Sequence, residues 1–239
     1  MATRTRRPER RQEPLSREHI VGAAVELLDA VGEDGLTFRA LAERLATGPG
    51  AIYWHVRGKT ELLAAATDAV VAAAVTIEPA ESAESADSPQ DGIRAVALGL
   101  FDAIEEHPWL ATQLATQLSR SPWGTVAPRI FESIGRQVCA LGVPEESWFT
   151  ATSALMHYIL GAAGQNAANT ASAGTARPDV DRAVVLDAVS AAWEGLDPDD
   201  YPFTRAVAKQ VRGHDDREQF LAGIALILAG ITAIHSLTT

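Results

Sequence analysis

The apolar positions of this chain recur at helical spacing almost from end to end. Ile20, Ala24, Leu27, Leu28 and Val31 form the first stripe, one face of a helix with Ser16 at its N-cap and with Leu15 and Ile20 placed as a hydrophobic staple. Gly32 and Gly35 close that helix. Leu41 and Leu45, at i and i+4, predict a second short helix capped by Thr37, with Leu36 placed to reach Leu41. The chain turns at Ala46, Thr47 and Gly48, and Pro49 opens a third helix, ending near His55, where its missing N–H leaves nothing unsatisfied. Two short helices around a tight turn give helix-turn-helix geometry, whose second helix enters the major groove of DNA. Trp54 is expected to plug the core of this small bundle.

A longer helix is predicted from Gly58 to about Ile77, with Leu62, Leu63, Ala66, Val70 and Ala73 inward. The segment 78–90 is poor in hydrophobics and bounded by prolines, so it reads as a linker or loop. Beyond Asp91, helices are expected over 93–106, from Pro108 through Leu118, over 126–141, from Pro144 to about Asn169 and over 181–193. A turn at 121–124, a loop at 171–179 and an acidic break at 197–202 separate them. No stretch alternates in the manner of a strand, and the fold class is all-α. The last element, 215–235, holds fifteen largely apolar residues from Phe220 to Ile234. That is short for a membrane span, and a helix apolar on nearly all sides must be covered by protein.

These elements divide the chain into an arm (1–15), a three-helix helix-turn-helix bundle (16–65) and a larger helical domain (66–239). The net charge of −11 over 239 residues argues against a polyanion partner until its distribution is considered. Residues 1–60 carry ten Arg/Lys against eight Asp/Glu, a net of +2, which leaves −13 for residues 61–239. Six arginines and two glutamates lie in the first 17 residues. An arm of that kind tracks phosphates or enters a minor groove, or else is a solvated tail. The single cysteine, Cys139, excludes an intrachain disulfide, points to a reducing compartment and is expected as a small core residue. Arg4, Arg6 and Arg7 lead into more charge rather than an apolar stretch, so no signal peptide is read and the location is cytoplasmic.

Leu36-Thr37-x-Arg39-x-Leu41-Ala42-x-x-Leu45, followed by Ala51-Ile52-Tyr53-Trp54-His55-Val56-x-x-Lys59-x-Glu61-Leu62-Leu63, resembles the DNA-binding domain of the tetracycline-repressor (TetR) family. The resemblance covers roughly residues 16–65. It implies a dimeric transcriptional regulator, a repressor released from a palindromic operator by a small, largely apolar effector. By resemblance Pro49, Gly50, Ala51, Tyr53 and His55 point into the groove. None of them is an Arg, Lys, Asn or Gln of the kind that reads base edges. Arg39, on the preceding helix, is therefore the best base reader, and the matching arginine of the family's type member contacts a guanine. Tyr53, His55 and Lys59, with Thr37 as cap, are assigned to phosphates. The last helix resembles the one through which such C-terminal domains dimerise. A second helix around Leu155–Gly164, rich in small residues, completes a four-helix interface between two copies.

The helices of 91–195 carry scattered aromatic and polar residues suited to a cavity for a mostly apolar, flat molecule: Phe101, His107, Trp109, Gln113, Gln117 and Trp123, then Phe131, Met156, His157, Gln165 and Asn166. Tetracycline and its magnesium ion are not implied, because Val75 stands where the type member has a ligating His. The six histidines show no metal-binding spacing, and no nucleotide loop or nucleophile elbow is present, so no cofactor, metal or catalytic residue is assigned. Two other readings stay open. One is a DNA-binding dimer with no small effector, controlled by a protein partner or by its own concentration. The other is a helical enzyme with an incidental helix-turn-helix.

Overall fold

A computed structural model describes residues 15–75, 88–120, 124–176 and 182–236. The arm before residue 15, most of the linker and residues 121–123 of the expected turn lie outside them. Among the described residues the regular elements are all helical: α1 (Arg17–Gly35), α2 (Phe38–Arg44), α3 (Pro49–Tyr53), α4 (Lys59–Ala74), α5 (Pro89–Glu106), α6 (Trp109–Arg120), α7 (Val126–Ala140), α8 (Trp148–Ala176), α9 (Arg182–Glu194), α10 (Pro202–Val207) and α11 (Asp216–Ser236), with two short 3-10 segments. The chain divides into two compact units, one ending at Ala66 and the other starting at Thr67, so the boundary falls inside α4.

In the first unit Ile20, Leu28, Leu36, Leu41, Ile52, Val56 and Leu62 are buried to within 1% of full exclusion from water and form one core. Ser16 caps α1 by accepting from the His19 N–H at 3.1 Å, and Thr37 caps α2 by accepting from the Ala40 N–H at 3.1 Å. Val31, expected inward, is instead 54% exposed. Gly32, at φ +67°, interrupts α1 immediately after Val31. Trp54 is not the plug of the bundle but 90% exposed, because α3 ends at Tyr53 and the indole leaves the inward face held by Ile52 and Val56.

The second unit is organised on α8, which packs against α5, α7 and α11, while α5 also meets α6 and α7. Leu100, Leu110, Ile130, Ile134, Leu155 and Ile159 are fully buried between these helices. Gly99 lets the end of α4 approach α5, since a Cβ there would strike the Ala74 carbonyl oxygen. Val71 on α4 and Val75 just beyond its end are buried, whereas Ala73, expected inward, is exposed. Cys139, expected in the core, is also exposed; its neighbour Val138 takes the inward position on α7.

Besides the early end of α3 and the start of α8 at Trp148 rather than Pro144, three regions differ from the sequence reading. α5 begins at Pro89, not Ile93, because Ser88 accepts from the Asp91 N–H at 3.3 Å and Pro89 occupies the first turn. α8 continues to Ala176, through a stretch expected as loop, because the alanines there favour helix and the single Gly174 does not break it ahead of Pro178. Residues 202–213, for which no element is expected, form α10 and a 3-10 turn that packs on α9. Arg205 holds this piece by donating to the carbonyls of Glu194 and Leu196, and Arg212 lies 3.3 Å from both Asp187 and Glu194.

The 19 residues Asp216–Ile234 of α11, with mean hydropathy 1.5, are long and apolar enough to cross a membrane by composition alone. Phe220, Ile224, Leu228 and Ile231 face α5 and α8, but Leu226 and Ile234 are 74% and 65% exposed.

Candidate functional site

Around the helix-turn-helix, local geometry fixes which side chains face out. The turn between α2 and α3 is a Schellman motif: the Thr47 N–H donates to Ala42 O at 2.9 Å and the Ala46 N–H to Glu43 O at 3.2 Å. That motif places its left-handed residue at Ala46, with φ +50°, and not at Gly48. The turn delivers Pro49 as the first residue of α3, with Pro49 and Gly50 exposed and Ala51 half-buried. Apart from its chain neighbours and the backbone of its own helix, no protein atom lies within 4 Å of where a Cβ would project from Gly50.

Tyr53 stacks flat on Phe38, with centroids 4.4 Å apart and planes 1° from parallel. Phe38 escaped the sequence reading, and it is what orients Tyr53 across the α2–α3 corner. Arg39 projects from α2 with its side chain 87% exposed, and its Nε donates to Glu43 at 3.1 Å across one helical turn. An exposed pair of this kind is weak and exchanges readily for a stronger acceptor. Thr37 is exposed and His55 half-buried at the ends of the same surface. Lys59, assigned to phosphate, has its ammonium donating to the Glu33 carbonyl at the close of α1. Glu61 locks the start of α4, accepting from the Arg57 N–H at 2.9 Å and from Arg17 at 3.2 Å. Those two bonds, the backbone one foremost, hold its carboxyl below the usual range. The exposed row Thr37, Arg39, Pro49, Gly50, Tyr53 and Trp54 thus offers a guanidinium, two aromatic rings and a bare stretch of backbone.

A cavity of about 190 Å³ opens in the second unit between α5, α8 and the start of α11. Its floor is aromatic: Phe101 and Phe220 lie 4.8 Å apart between centroids, and Tyr158 lies 5.9 Å from Phe220 at 16° between planes. Gly223 admits the phenol, because a Cβ there would collide with its hydroxyl. That hydroxyl donates to Phe220 O at 3.1 Å, and burial pushes its pKa up. Gln165, Asn166, Asn169 and Gln219 bring carboxamides to the walls, and Ala162 completes them on α8. His214 and Asp216 close one end, with His214 Nε2 2.9 Å from Asp216 Oδ1 and Arg182 paired to the other carboxylate oxygen. Arg217, bound to Asp102, covers the outer face of Phe101 at 5.9 Å from the ring centroid; the Asp102 carboxylate raises its pKa.

Of the residues expected to line a pocket, Phe101 and Gln165 line this cavity, as does Asn166. The others are dispersed. Trp109 and Gln113 are buried at 7% and 6% exposure, and Gln117 is half-buried with its Nε2 enclosed and unbonded. Phe131 packs against Phe149 at 5.5 Å, Met156 is half-buried and His157 is exposed. Trp123 lies outside the described residues. Tyr158, Asn169, His214, Asp216, Gln219 and Phe220 were missed. Those on α8 follow a helical period through Tyr158, Ala162 and Gln165, a signal the sequence carried, whereas the α11 group becomes adjacent only by tertiary packing. Among the described residues, no cluster of three or more His, Cys, Asp or Glu is placed to hold a metal.

A helix-turn-helix bundle carrying an exposed aromatic and basic row, followed by a larger helical unit with its own cavity, defines a DNA-binding transcriptional regulator of the helical repressor type. Two family models agree: "Bacterial regulatory proteins, tetR family" matches residues 20–66 and "Tetracyclin repressor-like, C-terminal domain" matches residues 81–235. The chain belongs to the TetR family. It is similar to the transcriptional regulator SCO7222, a TetR from Streptomyces coelicolor, whose solved structure matches with 78% identity and a TM-score of 0.83 over 93% of this chain and 100% of that one. An HTH-type transcriptional regulator of Saccharopolyspora erythraea is 34% identical over 65% of this chain and 64% of its own length. The class D tetracycline repressor of Escherichia coli is 29% identical over 90% of this chain and 88% of that protein.

Proposed function

We propose that this chain acts in the cytoplasm as a dimeric repressor, held on a near-palindromic operator and released from it by a small effector bound in the second unit. The observation that carries the DNA half of this reading is the exposed row on α2 and α3, in which Arg39 alone has a donor fork suited to a base edge. Arg39 exchanges Glu43 for guanine, Tyr53 and Trp54 lie along the sugar-phosphate backbone, and Gly50 permits close approach of the main chain. Lys59 reaches phosphate by releasing the Glu33 carbonyl, and Thr37 and His55 flank it. Dimerisation is read from Leu226 and Ile234, apolar positions on α11 that stay exposed within one chain. No residue is given a catalytic role.

For two half-sites to be read together, the two copies of α3 must lie about 34–36 Å apart, one turn of DNA. The test is operator binding by the full chain against its own upstream region and single-base variants of that region. Arg39→Ala is expected to cost about 1–3 kcal/mol and to relax preference at one base pair per half-site. A uniform loss over all sequences makes Arg39 a phosphate contact. Release by an effector requires that it bind the DNA-incompetent form more tightly, and operator must then weaken the effector by the same factor. α4, which belongs to both units, is the continuous element through which we infer that this coupling passes.

A further inference from the structure

We infer that Arg57, on the link between α3 and α4, binds a DNA phosphate at the edge of the exposed row. This deepens the proposed regulatory role and rests on it. Arg57 is one of the two unspecified positions of Val56-x-x-Lys59, so the pattern of that region assigns it no part. Partnership does. Among the described residues up to Ala66, the arginine and lysine side chains are Arg17, Arg39, Arg44, Arg57 and Lys59. Arg17 pairs with Glu61 at 3.2 Å, Arg39 with Glu43 at 3.1 Å and Arg44 with Glu26, while the Lys59 ammonium donates to the Glu33 carbonyl. Arg57 is exposed, and among the described residues its guanidinium has no hydrogen bond or ion pair. Glu61 feels its charge, yet both oxygens of that carboxylate are taken, one by Arg17 and the other by the Arg57 N–H at 2.9 Å.

The backbone sends this side chain outward. The Val56 N–H donates to Ile52 O at 3.1 Å, so the helical turn of α3 runs on through Val56. Ile52 and Val56 are the inward pair, at 0% and 1% exposure. At about 100° per residue, the position after Val56 falls in the arc of Gly50, Tyr53 and Trp54, away from the core. The energetic consequence follows from the missing partner. A paired arginine that turns to a phosphate leaves a carboxylate uncompensated beside a polyanion, which offsets much of its gain. Arg57 has no ion pair to abandon, so it can displace counterions from a phosphate with its full charge.

The test is fluorescence anisotropy of the full-length protein on two labelled duplexes, one from its own upstream region and one of scrambled sequence, over a series of KCl concentrations. Arg57→Gln removes the charge and keeps the N–H that Glu61 accepts, and Arg57→Lys keeps both; an unchanged urea midpoint shows that each is folded. Arg57→Gln is expected to flatten log K against log salt by about 0.9 on both duplexes, a loss of about fivefold at about 0.15 M salt. Arg57→Lys is expected to retain the parent slope, and Arg44→Gln, whose cation is spent on Glu26, to leave it nearly unchanged. Three results would each overturn the inference. An unmoved slope in Arg57→Gln makes the side chain merely solvated, an equal flattening in Arg44→Gln makes the effect one of net charge, and a loss confined to the upstream duplex makes Arg57 a base contact. The same data separate this contact from the regulatory reading. Parent protein that binds both duplexes alike strikes sequence-specific regulation, while the slopes still decide Arg57. Intact preference for the upstream duplex with an unmoved slope removes the contact and leaves the regulator standing, and binding to neither duplex overturns both.

Discussion

Ala46 occupies the left-handed position that closes α2, where glycine is the ordinary occupant. A side chain there costs roughly 1–2 kcal/mol, while glycine loses about 0.5–1 kcal/mol more in backbone entropy on folding. Ala46→Gly is therefore expected to stabilise the protein by roughly 0.5 kcal/mol, read as a higher urea midpoint at unchanged slope. Trp54 poses the opposite question, since a large indole left 90% exposed contributes little to folding. Trp54→Ala is expected to shift stability by no more than about 0.5 kcal/mol and to weaken operator binding about fivefold, roughly 1 kcal/mol. Unchanged operator affinity in that variant would remove Trp54 from the interface.

At the scale of elements, two glycines set how closely helices meet in the second unit. Gly99 receives the Ala74 carbonyl at the end of α4, and Gly223 receives the Tyr158 hydroxyl between α8 and α11. Neither neighbour is a free end: one is backbone, and the other is a phenol held by its bond to Phe220 O at 3.1 Å. Gly99→Ala is expected to cost about 1–3 kcal/mol, because helix backbones must separate. Gly223→Ala is expected to cost less if the phenol swings out, and to show that movement as an upfield or downfield change of the Tyr158 ring signals. A Gly99→Ala variant as stable as the parent would mean that α4 ends differently in solution.

Over the whole molecule, charge is sorted by region, with +2 on residues 1–60 and −13 on the remainder. Repulsion from the acidic part confines polyanion binding to the basic end. Five arginines precede residue 15, and each that neutralises a phosphate releases counterions. Deleting residues 1–14 is expected to lower operator affinity and to flatten log K against log salt by about 0.9 for each phosphate that the arm no longer neutralises. An unchanged slope would show that the arm stays clear of the DNA. The same experiment on Arg39→Ala, whose target is proposed to be a base, is expected to leave the slope nearly intact.

The all-α class, the caps at Ser16 and Thr37, the entry of Pro49 and the extents of α6, α7, α9 and α11 were legible in the chain, because capping and 3.6-residue periodicity act between residues a few positions apart. The outward row Thr37, Arg39, Pro49, Gly50 and Tyr53 was legible through spacing and resemblance. What local pattern did not reach was phase and partnership. Val31 stays exposed at the end of α1 despite its place in the stripe, the early end of α3 turned Trp54 out, and Phe38 stacked on Tyr53 from a different helix. The cavity is the clearest case. Phe101, Tyr158 and Phe220 are each an ordinary inward aromatic of a separate helix, and only the packing of α5, α8 and α11 makes them one floor. Periodicity states which face of a helix is buried; which other face it is buried against is decided by tertiary packing.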